Sequence, residues 1–471
     1  MTNFKSEDFR GRYWKSLETD KAFAVERPVC YGPAIAAQER QSSPFLMFKF
    51  ISEWIPYQYT DFFEESQSFH DSAYLGDWSP LPKLKISGPD ALDFLQYHTV
   101  NNLRSFRDMQ IKHAIQLNED GKVAGEGILY KTAEDEFRYM GGAVYWLQHW
   151  FDREPRDARC EIYSPDEFVF VVQGPKSIHV VEAAIDSGLR DLKFNYWTAC
   201  RIGMHDVRIL RTGITGELGY EVHGPVEAAN DVWLALTEAG QAFGLRLLGG
   251  RSMIVSHVEG CFPTIGREFL PATSPSVGHS RAHSIDIRGG SLEWHDPSEL
   301  FRSPFDLNWD REVSLDSHDF MGKEALQCEV AAGGPARRLV GLVWNPDDVV
   351  AVYASLFHEG PRPAFMELPR VSHKHAMDPD AVLLNGKCIG VSTSRVYSSA
   401  LRKMISLCHI DRDLMTPGTE VAVVWGDKGK DQVHIRATVT DLPFKRDNRR
   451  TDVSLLPDFL SSKRSDGPGL T

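Results

Sequence analysis

What this chain of 471 residues lacks narrows its possibilities first. No apolar run approaches the ~20 residues that a membrane-spanning helix needs; the longest stretches, such as Phe45–Ile51 and Leu339–Trp344, are far shorter. The opening MTNFKSEDFRGRYW places charges where a secretory signal needs an apolar core. Positive charge is not in excess either: Asp and Glu number 65 against 52 Lys and Arg, a formal net charge of −13, and no Lys/Arg run marks a basic groove. A general nucleic-acid binder draws its affinity from neutralised phosphates, so nucleic acid is not an expected partner. The seven cysteines are scattered, odd in number and free of any C-x-x-C pair, which fits neither a disulfide framework nor a zinc site. Also missing are the phosphate loop G-x-x-x-x-G-K-[ST], the nucleophile elbow G-x-S-x-G, the zinc motif H-E-x-x-H and any repeat of 20–50 residues. His279 and His283 stand four apart, but in a loop-like stretch with Gly278, Ser280 and Ser284. His373 and His375 have no third ligand, so no metal is expected. These absences lead to the expectation of a cytoplasmic protein whose partners are small molecules, with no nucleic acid and no membrane.

What is present is ordinary for a folded enzyme: 42% hydrophobic and 25% charged residues. At roughly 150 residues per domain, the length predicts about three domains. A polar lead-in, partly helical around Asp8–Leu17, is broken by Pro28, Gly32 and Pro33. Two strand–Gly-Pro–helix units follow. In the first, Lys83–Ile86 turns through Ser87-Gly88-Pro89-Asp90 into the helix ALDFLQYHTV. In the second, Phe168–Val172 turns through Gln173-Gly174-Pro175-Lys176 into SIHVVEAAI. Between them IKHAIQLN reaches a turn at Glu119-Asp120-Gly121, VAGEGILYK returns, and FRYMGG adds a strand. Val207–Arg211 and Tyr220–Val222 read as strands around a glycine-rich loop, with a helix from about Glu227 to Phe243. From Pro335 short strands separated by turns predict a separate β domain, and the tail SSKRSDGPGLT is expected to fray.

The segment Arg211-Thr-Gly-Ile-Thr-Gly-Glu-Leu-Gly-Tyr-Glu221 resembles the R-T-G-[Y]-T-G-E-x-G-[YF]-E signature of the glycine-cleavage T-protein (aminomethyltransferase) superfamily. Several other stretches carry the same likeness in the same order. Ile55-Pro56-Tyr57-Gln58-Tyr59 is similar to M-P-V-Q-Y, Asp77-Trp78-Ser79 to D-V-S, and Asn118–Gly121 with Gly125–Ile128 to N-E-x-G-G-x-x-D-D-x-I. Gln173-Gly174-Pro175 matches Q-G-P, Leu248–Arg251 resembles L-G-x-R, and Asp319–Leu326 resembles D-F-I-G-R-E-A-L. Within the superfamily the chain looks most like the tetrahydrofolate-dependent aryl O-demethylases (vanillate, 3-O-methylgallate and syringate type), through Val352–Phe357 and Gly418–Gly426. The resemblance implies an α+β fold, a three-domain cloverleaf with a central folate channel and a C-terminal β-barrel or jelly-roll-like domain. On it the chain divides into an N-terminal extension over 1–50, a folate-binding core of two interleaved domains over 51–334, a C-terminal β domain over 335–450 and a tail over 451–471.

The implied function is transfer of a methyl or methylene carbon from an aromatic ether to tetrahydrofolate, without a metal, by a monomer or homodimer. The pterin edge presents an N–H and an amino group side by side, which one carboxylate can accept bidentately. The resemblance gives that role to Glu221, with Arg251, Gln173 and Glu217 as further folate contacts. The paired aspartates of glycine-cleavage T-proteins fall on Gly125 and Glu126, leaving Glu126 as the acid near the reacting nitrogen. The substrate side departs from the demethylases at four places. Met253 and Ile55 stand where they have tyrosines, Gly142 where the acidic-substrate branch has an arginine, and Pro80 where a histidine follows D-x-S. A pocket lined by Met253, Ile55 and Gly142 is expected to take a neutral methoxy- or methylenedioxy-arene, unless Arg104, Arg267 or Arg402 replaces the missing guanidinium. The proton donor is then open among Tyr57, Tyr59 and Tyr31. Two alternatives stay in view: a glycine-cleavage aminomethyltransferase, and a non-catalytic folate-binding maintenance protein. The second rests on the loose likeness of Glu259-Gly260-Cys261-Phe262 through Glu268 to K-G-C-[FY]-x-G-Q-E.

Overall fold

The structure, a computed structural model, describes residues 30–41, 46–51, 53–164, 166–185, 187–273, 287, 289–368 and 377–458. The lead-in helix, His279, His283, His373, His375 and the tail after 458 lie outside the described residues. The chain divides into two units, the first holding 1–81, 163–253 and 447–471, the second 82–162 and 254–446.

The first unit is built on a six-stranded sheet in the order Trp197–Ile202, His205–Leu210, Gly219–Pro225, Glu167–Gln173, Ala73–Asp77, Leu245–Leu248. Its pairs are antiparallel except the last, which is parallel. Alternation along each strand sends successive side chains to opposite faces. Phe168, Phe170, Val172, Tyr220, Val222, Ala73 and Leu75 share one face with Trp233 and Leu236 of the helix Ala229–Gly240 and with Ile178, Val180 and Val181 of the helix Ser177–Ile185. At ~25 cal/mol per Å² of apolar surface, this packing is the main stabilising term of the unit. The same alternation leaves Tyr74, Gln173, Glu221 and His223 on the opposite face. The chain beyond Arg446 returns to this unit. Val453 is buried in its core, and the Arg190 guanidinium donates to the carbonyls of Val453, Leu456 and Pro457.

The second unit holds a five-stranded antiparallel sheet, Ile111–Leu117, Val123–Ala133, Glu136–Gly141, Lys83–Ser87 and Arg159–Ile162. It also holds a closed six-stranded antiparallel barrel over 337–440 around Leu342, Trp344, Val382, Val423 and Val439. The short strands expected after Pro335 form this barrel, which lies in the same unit as the five-stranded sheet. The two strand–Gly-Pro–helix units therefore sit in different sheets, each predominantly antiparallel. The first of their helices is shorter than its apolar spacing predicts. It ends at Tyr97, because the Val100 N–H is drawn to the Ile115 carbonyl on the neighbouring strand instead of continuing the helix. The second runs Ser177–Ile185, the span read from its periodicity.

Candidate functional site

In the first unit the glycine-rich signature is a loop wrapped around one side chain. A Cβ on Gly213 or Gly219 would collide with the Gln173 carboxamide, whose oxygen accepts the Thr215 N–H at 3.3 Å. Gln173 thus fills the loop, and the spacing of the glycines follows from its bulk. Glu217, buried, accepts a hydrogen bond from Asn448 Nδ2 at 2.8 Å, and the Arg211 guanidinium donates to the carbonyls of Leu192 and Thr451.

Glu221 leaves this loop onto the strand Gly219–Pro225. Its flanking residues Tyr220 and Val222 are in the core, so its side chain is on the other face, and His223 two residues on joins it there. Glu221 Oε2 and His223 Nε2 are 2.9 Å apart, with side chains only 10% and 1% exposed. Burial penalises the carboxylate and pushes its pKa up to about 8. Across the sheet Tyr74 is fully buried, and its hydroxyl has no hydrogen-bond partner among the described residues. The Trp78 ring lies against Gly76, where a Cβ would collide with it, and stacks on Tyr74 at 6.2 Å. Burial, then the nearby Glu221 charge, raises the Tyr74 hydroxyl well above the usual tyrosine range. A buried carboxylate, a buried histidine and an orphaned hydroxyl on one sheet face cost stability unless a ligand joins them.

The two glycines before Arg251 have a different cause. A Cβ on Gly249 would strike the Tyr57 carbonyl, and one on Gly250 the Phe48 ring. The helix Gly250–Glu259 therefore begins against the strand Glu53–Gln58. Glu65 ties them together: it accepts from the N–H groups of Tyr59 and Thr60 with one oxygen, and from the Gly249 N–H and Ser252 hydroxyl with the other, all at 2.7–3.0 Å. Arg251 donates to Gln58 Oε1 at 2.9 Å and lies 4.7 Å above the Phe62 ring. Ile55 is buried and paired with Phe48, and Met253 is half-buried on the same helix as Arg251. Of the three tyrosines, Tyr59 sits in the core stacked on Trp233 at 6.5 Å. Burial first, then Asp77 and Glu65, raises its hydroxyl well above the usual range. Tyr57 is half-buried beside Phe48, and Tyr31 bridges to Trp54, with its hydroxyl raised by burial and then by Glu39.

The second unit carries Glu126 and Gly142. Glu126 lies on the strand Val123–Ala133 between two glycines that have no room for a side chain. A Cβ at Gly125 would come within 2.6 Å of Ala143 Cα and 2.7 Å of its nitrogen. Glu126 Oε2 meets His113 Nε2 at 3.0 Å, across the hairpin on the diagonal of the Ile115–Glu126 and His113–Ile128 pairs. The imidazole lies 5.5 Å from Phe262 and edge-on to Trp309 at 5.0 Å. Gly142 donates its N–H to the Glu126 carbonyl at 2.8 Å, and Ile265 Cδ1 occupies the place a Cβ there would take. Of the candidate replacement arginines in this unit, Arg104 is paired with Asp93 at 2.5 Å, Arg267 is half-buried with its pKa lowered by desolvation, and Arg402 is exposed.

Four participants escaped the sequence reading: His223, Tyr74, Glu65 and His113. The first was signalled by its i+2 spacing from Glu221 on a strand, and His113 by the hairpin register. Tyr74 and Glu65 carried no local signal, because their partners are distant in sequence.

Comparison with known proteins agrees with this arrangement. Residues 21–279 match the family described as GCVT N-terminal domain, and residues 337–445 the glycine cleavage T-protein C-terminal barrel domain. A sesamin methylene transferase of Sinomonas sp. is 33% identical over 86% of this chain and 94% of its own length. A syringate O-demethylase of Sphingobium sp. is 30% identical over 83% and 90%. An aminomethyltransferase of Moorella thermoacetica is 26% identical over 90% and 98%. The crystal structure of the glycine cleavage system aminomethyltransferase T of Bartonella henselae superposes with a TM-score of 0.66 at 19% identity, covering 88% of this chain and 98% of that one, so the fold is shared. Taken with the α+β architecture and the closed C-terminal barrel, these matches show that the chain belongs to the glycine-cleavage T-protein family.

Proposed function

We propose that this protein transfers a methyl or methylene carbon from a neutral aromatic ether to tetrahydrofolate and releases a phenol. The observation that carries the reading is Glu221, a buried carboxylate beside a buried histidine and an orphaned tyrosine hydroxyl, on the residue where the family resemblance puts pterin recognition. These residues fit a pterin. Two adjacent N–H donors satisfy the two carboxylate oxygens, an acceptor beside them suits the Tyr74 hydroxyl, and Trp78 offers an aromatic face. Arg251, steadied by Gln58 and Phe62, and Glu217 serve as further folate contacts, while Gln173 shapes the loop that presents Glu221. When bound, the reduced folate supplies the amine nitrogen that takes up the carbon. The chain's own part is to hold the pterin, position the acid Glu126 and receive the arene.

The sesamin methylene transferase and the syringate O-demethylase among its relatives support an aryl ether over an aminomethyl donor. So does Gly125: with Ala143 packed against it, this position has no space for the first of the paired aspartates. Gly142 supports a neutral substrate, since neither it nor its neighbours Gly141 and Ala143 offers a cation to a benzoate, and a buried unpaired carboxylate is strongly disfavoured. Met253 and Ile55 are further apolar lining in this reading, and the remaining partners are expected to be small molecules.

Incubation with tetrahydrofolate and matched methoxy- and methylenedioxy-arenes, read by the mass of the folate product, tests the proposal. A one-carbon-loaded folate formed only with the arene supports it. Carbon transfer only from a lipoylated carrier would establish an aminomethyltransferase, and folate binding without turnover a maintenance protein.

A further inference from the structure

The reading above leaves one proton unassigned. For a methoxy group, the bond between the one-carbon unit and the aryl oxygen breaks with its electron pair staying on oxygen; a methylenedioxy carbon repeats the same exchange at its second oxygen. The carbon bonds instead to the folate amine, whose N–H proton is given up, and a phenol forms only when the oxygen gains a proton. The balance closes without oxidant or reductant, but it needs a group to carry that proton. The tyrosines are poorly placed for it: Tyr59 is stacked inside the core with its hydroxyl pushed up by burial, and Tyr57 and Tyr31 pack beside Phe48 and Trp54.

Resting on that reading, we propose that His113, oriented by Glu126, is the catalytic residue that delivers the proton to the departing aryl oxygen, beside an aryl-binding wall formed by Phe262 and Trp309. All four residues belong to the second unit. The pair is built like a general acid with its orienting carboxylate. Glu126 takes one ring nitrogen at 3.0 Å and fixes the imidazole, while Nδ1 makes no hydrogen bond among the described residues. His113 and Glu126 keep 19% and 12% of their side chains exposed, so the pair is reachable. The ring is near two aromatic groups, the half-buried Phe262 and the largely buried Trp309 indole, which suit a flat arene. The other ionisable group packed on Glu126 is Tyr139, whose hydroxyl is engaged with Gln116 Oε1 at 3.0 Å and the Ala143 N–H at 3.2 Å, and which burial holds protonated. It does not compete for the role.

The test uses the full chain with 2-methoxy-4-nitrophenol, whose absorbance reports its own ionisation and which needs no folate. Binding is followed by tryptophan fluorescence. In the native protein the bound phenol is expected to ionise at lower pH than in solution, because a cationic imidazole stabilises the phenolate. His113→Gln should move that ionisation back up by at least about one pH unit with affinity changed less than about threefold, since Phe262 and Trp309 remain. With tetrahydrofolate and a productive arene, kcat of His113→Gln should fall ~10²–10⁴-fold, the range for general acid catalysis. Glu126→Gln should fall less and is the second variant if His113→Gln folds poorly. An unchanged phenol titration and unchanged kcat in a folded His113→Gln protein would overturn the proposal, as would failure of the nitrophenol to bind the native chain. If the native protein loads no carbon onto folate from any arene, the functional reading fails, while the nitrophenol titration still decides whether His113 faces a bound phenol.

Discussion

The two units each hold a glutamate–histidine pair at hydrogen-bond distance, and the pairs are built differently. Glu221 and His223 lie two apart on one strand, nearly closed off from water. Glu126 and His113 meet across a hairpin and keep an exposed edge. A pair within one strand is held by backbone geometry alone, so it can be sealed under neighbours and used for recognition. The cross-strand pair keeps part of each side chain exposed, which proton transfer to an incoming molecule requires. The contrast teaches that the same two side chains serve binding or chemistry according to the access their strands permit.

The largest effect expected from breaking this contrast is on turnover. Steady-state assays of His113→Gln should show the 10²–10⁴-fold loss in kcat with little change in folate affinity. Glu221→Gln should do the opposite: above about pH 8, where the carboxylate is ionised, removing its charge costs about 1.5–3 kcal/mol of folate binding, read by fluorescence titration. Two equal mixed phenotypes would erase the distinction between the pairs.

A pH series sharpens the difference. The Glu221 carboxyl keeps its proton up to about pH 8 because burial disfavours its charge. A ligand donating two N–H groups prefers the ionised form, so folate affinity should rise with pH, by up to tenfold per unit, and level off above about 8. Stability runs the other way. The folded-state pKa lies above the unfolded one, so this group's contribution is fully present below about pH 4.5 and is lost as pH rises toward 8, at about 1.4 kcal/mol per unit. Glu221→Gln should remove that slope in urea unfolding of the ligand-free protein and stabilise it at pH 8. The same slope in the variant would mean that another group titrates.

Next in size is substrate charge. Neutral phenyl ethers should exceed their benzoate analogues by at least about tenfold in kcat/KM, roughly 1.4 kcal/mol. Gly142→Arg, whose Cβ meets the end of the Ile265 side chain, should shift the preference toward the acid. A native preference for the benzoate would mean that another cation already occupies that side. The smallest effect on turnover is expected from Glu65→Ala: it removes four hydrogen bonds and should lower unfolding free energy by about 2–4 kcal/mol, while catalysis by the surviving folded protein changes least.

Local rules made much of this legible in advance. The strand through Phe168–Val172, the Ser177–Ile185 helix, the Glu119–Gly121 turn and the short barrel strands after Pro335 follow from alternation, periodicity and turn residues. The candidate acids Glu221 and Glu126 were found through motif resemblance, not through spacing. Gln173 was read as a ligand contact; that its carboxamide also fills the signature loop was not legible, because only the folded chain brings Gly213 and Gly219 onto it.

By itself, then, the sequence determined which segments become strands and helices, which faces are apolar, and which motifs carry the family likeness, since these depend on neighbours a few residues apart. Tertiary structure alone decided that Glu65 joins the 59–60 turn to the 249–252 helix start and that Tyr74 keeps an orphaned hydroxyl on the Glu221 face. It also decided that Gly125 has no room for an acid and that His113 meets Glu126 beside Phe262 and Trp309. Each of these joins residues from different strands, helices or loops. Hydrogen bonds and steric exclusion act over a few ångströms of space, and only folding makes distant positions that close.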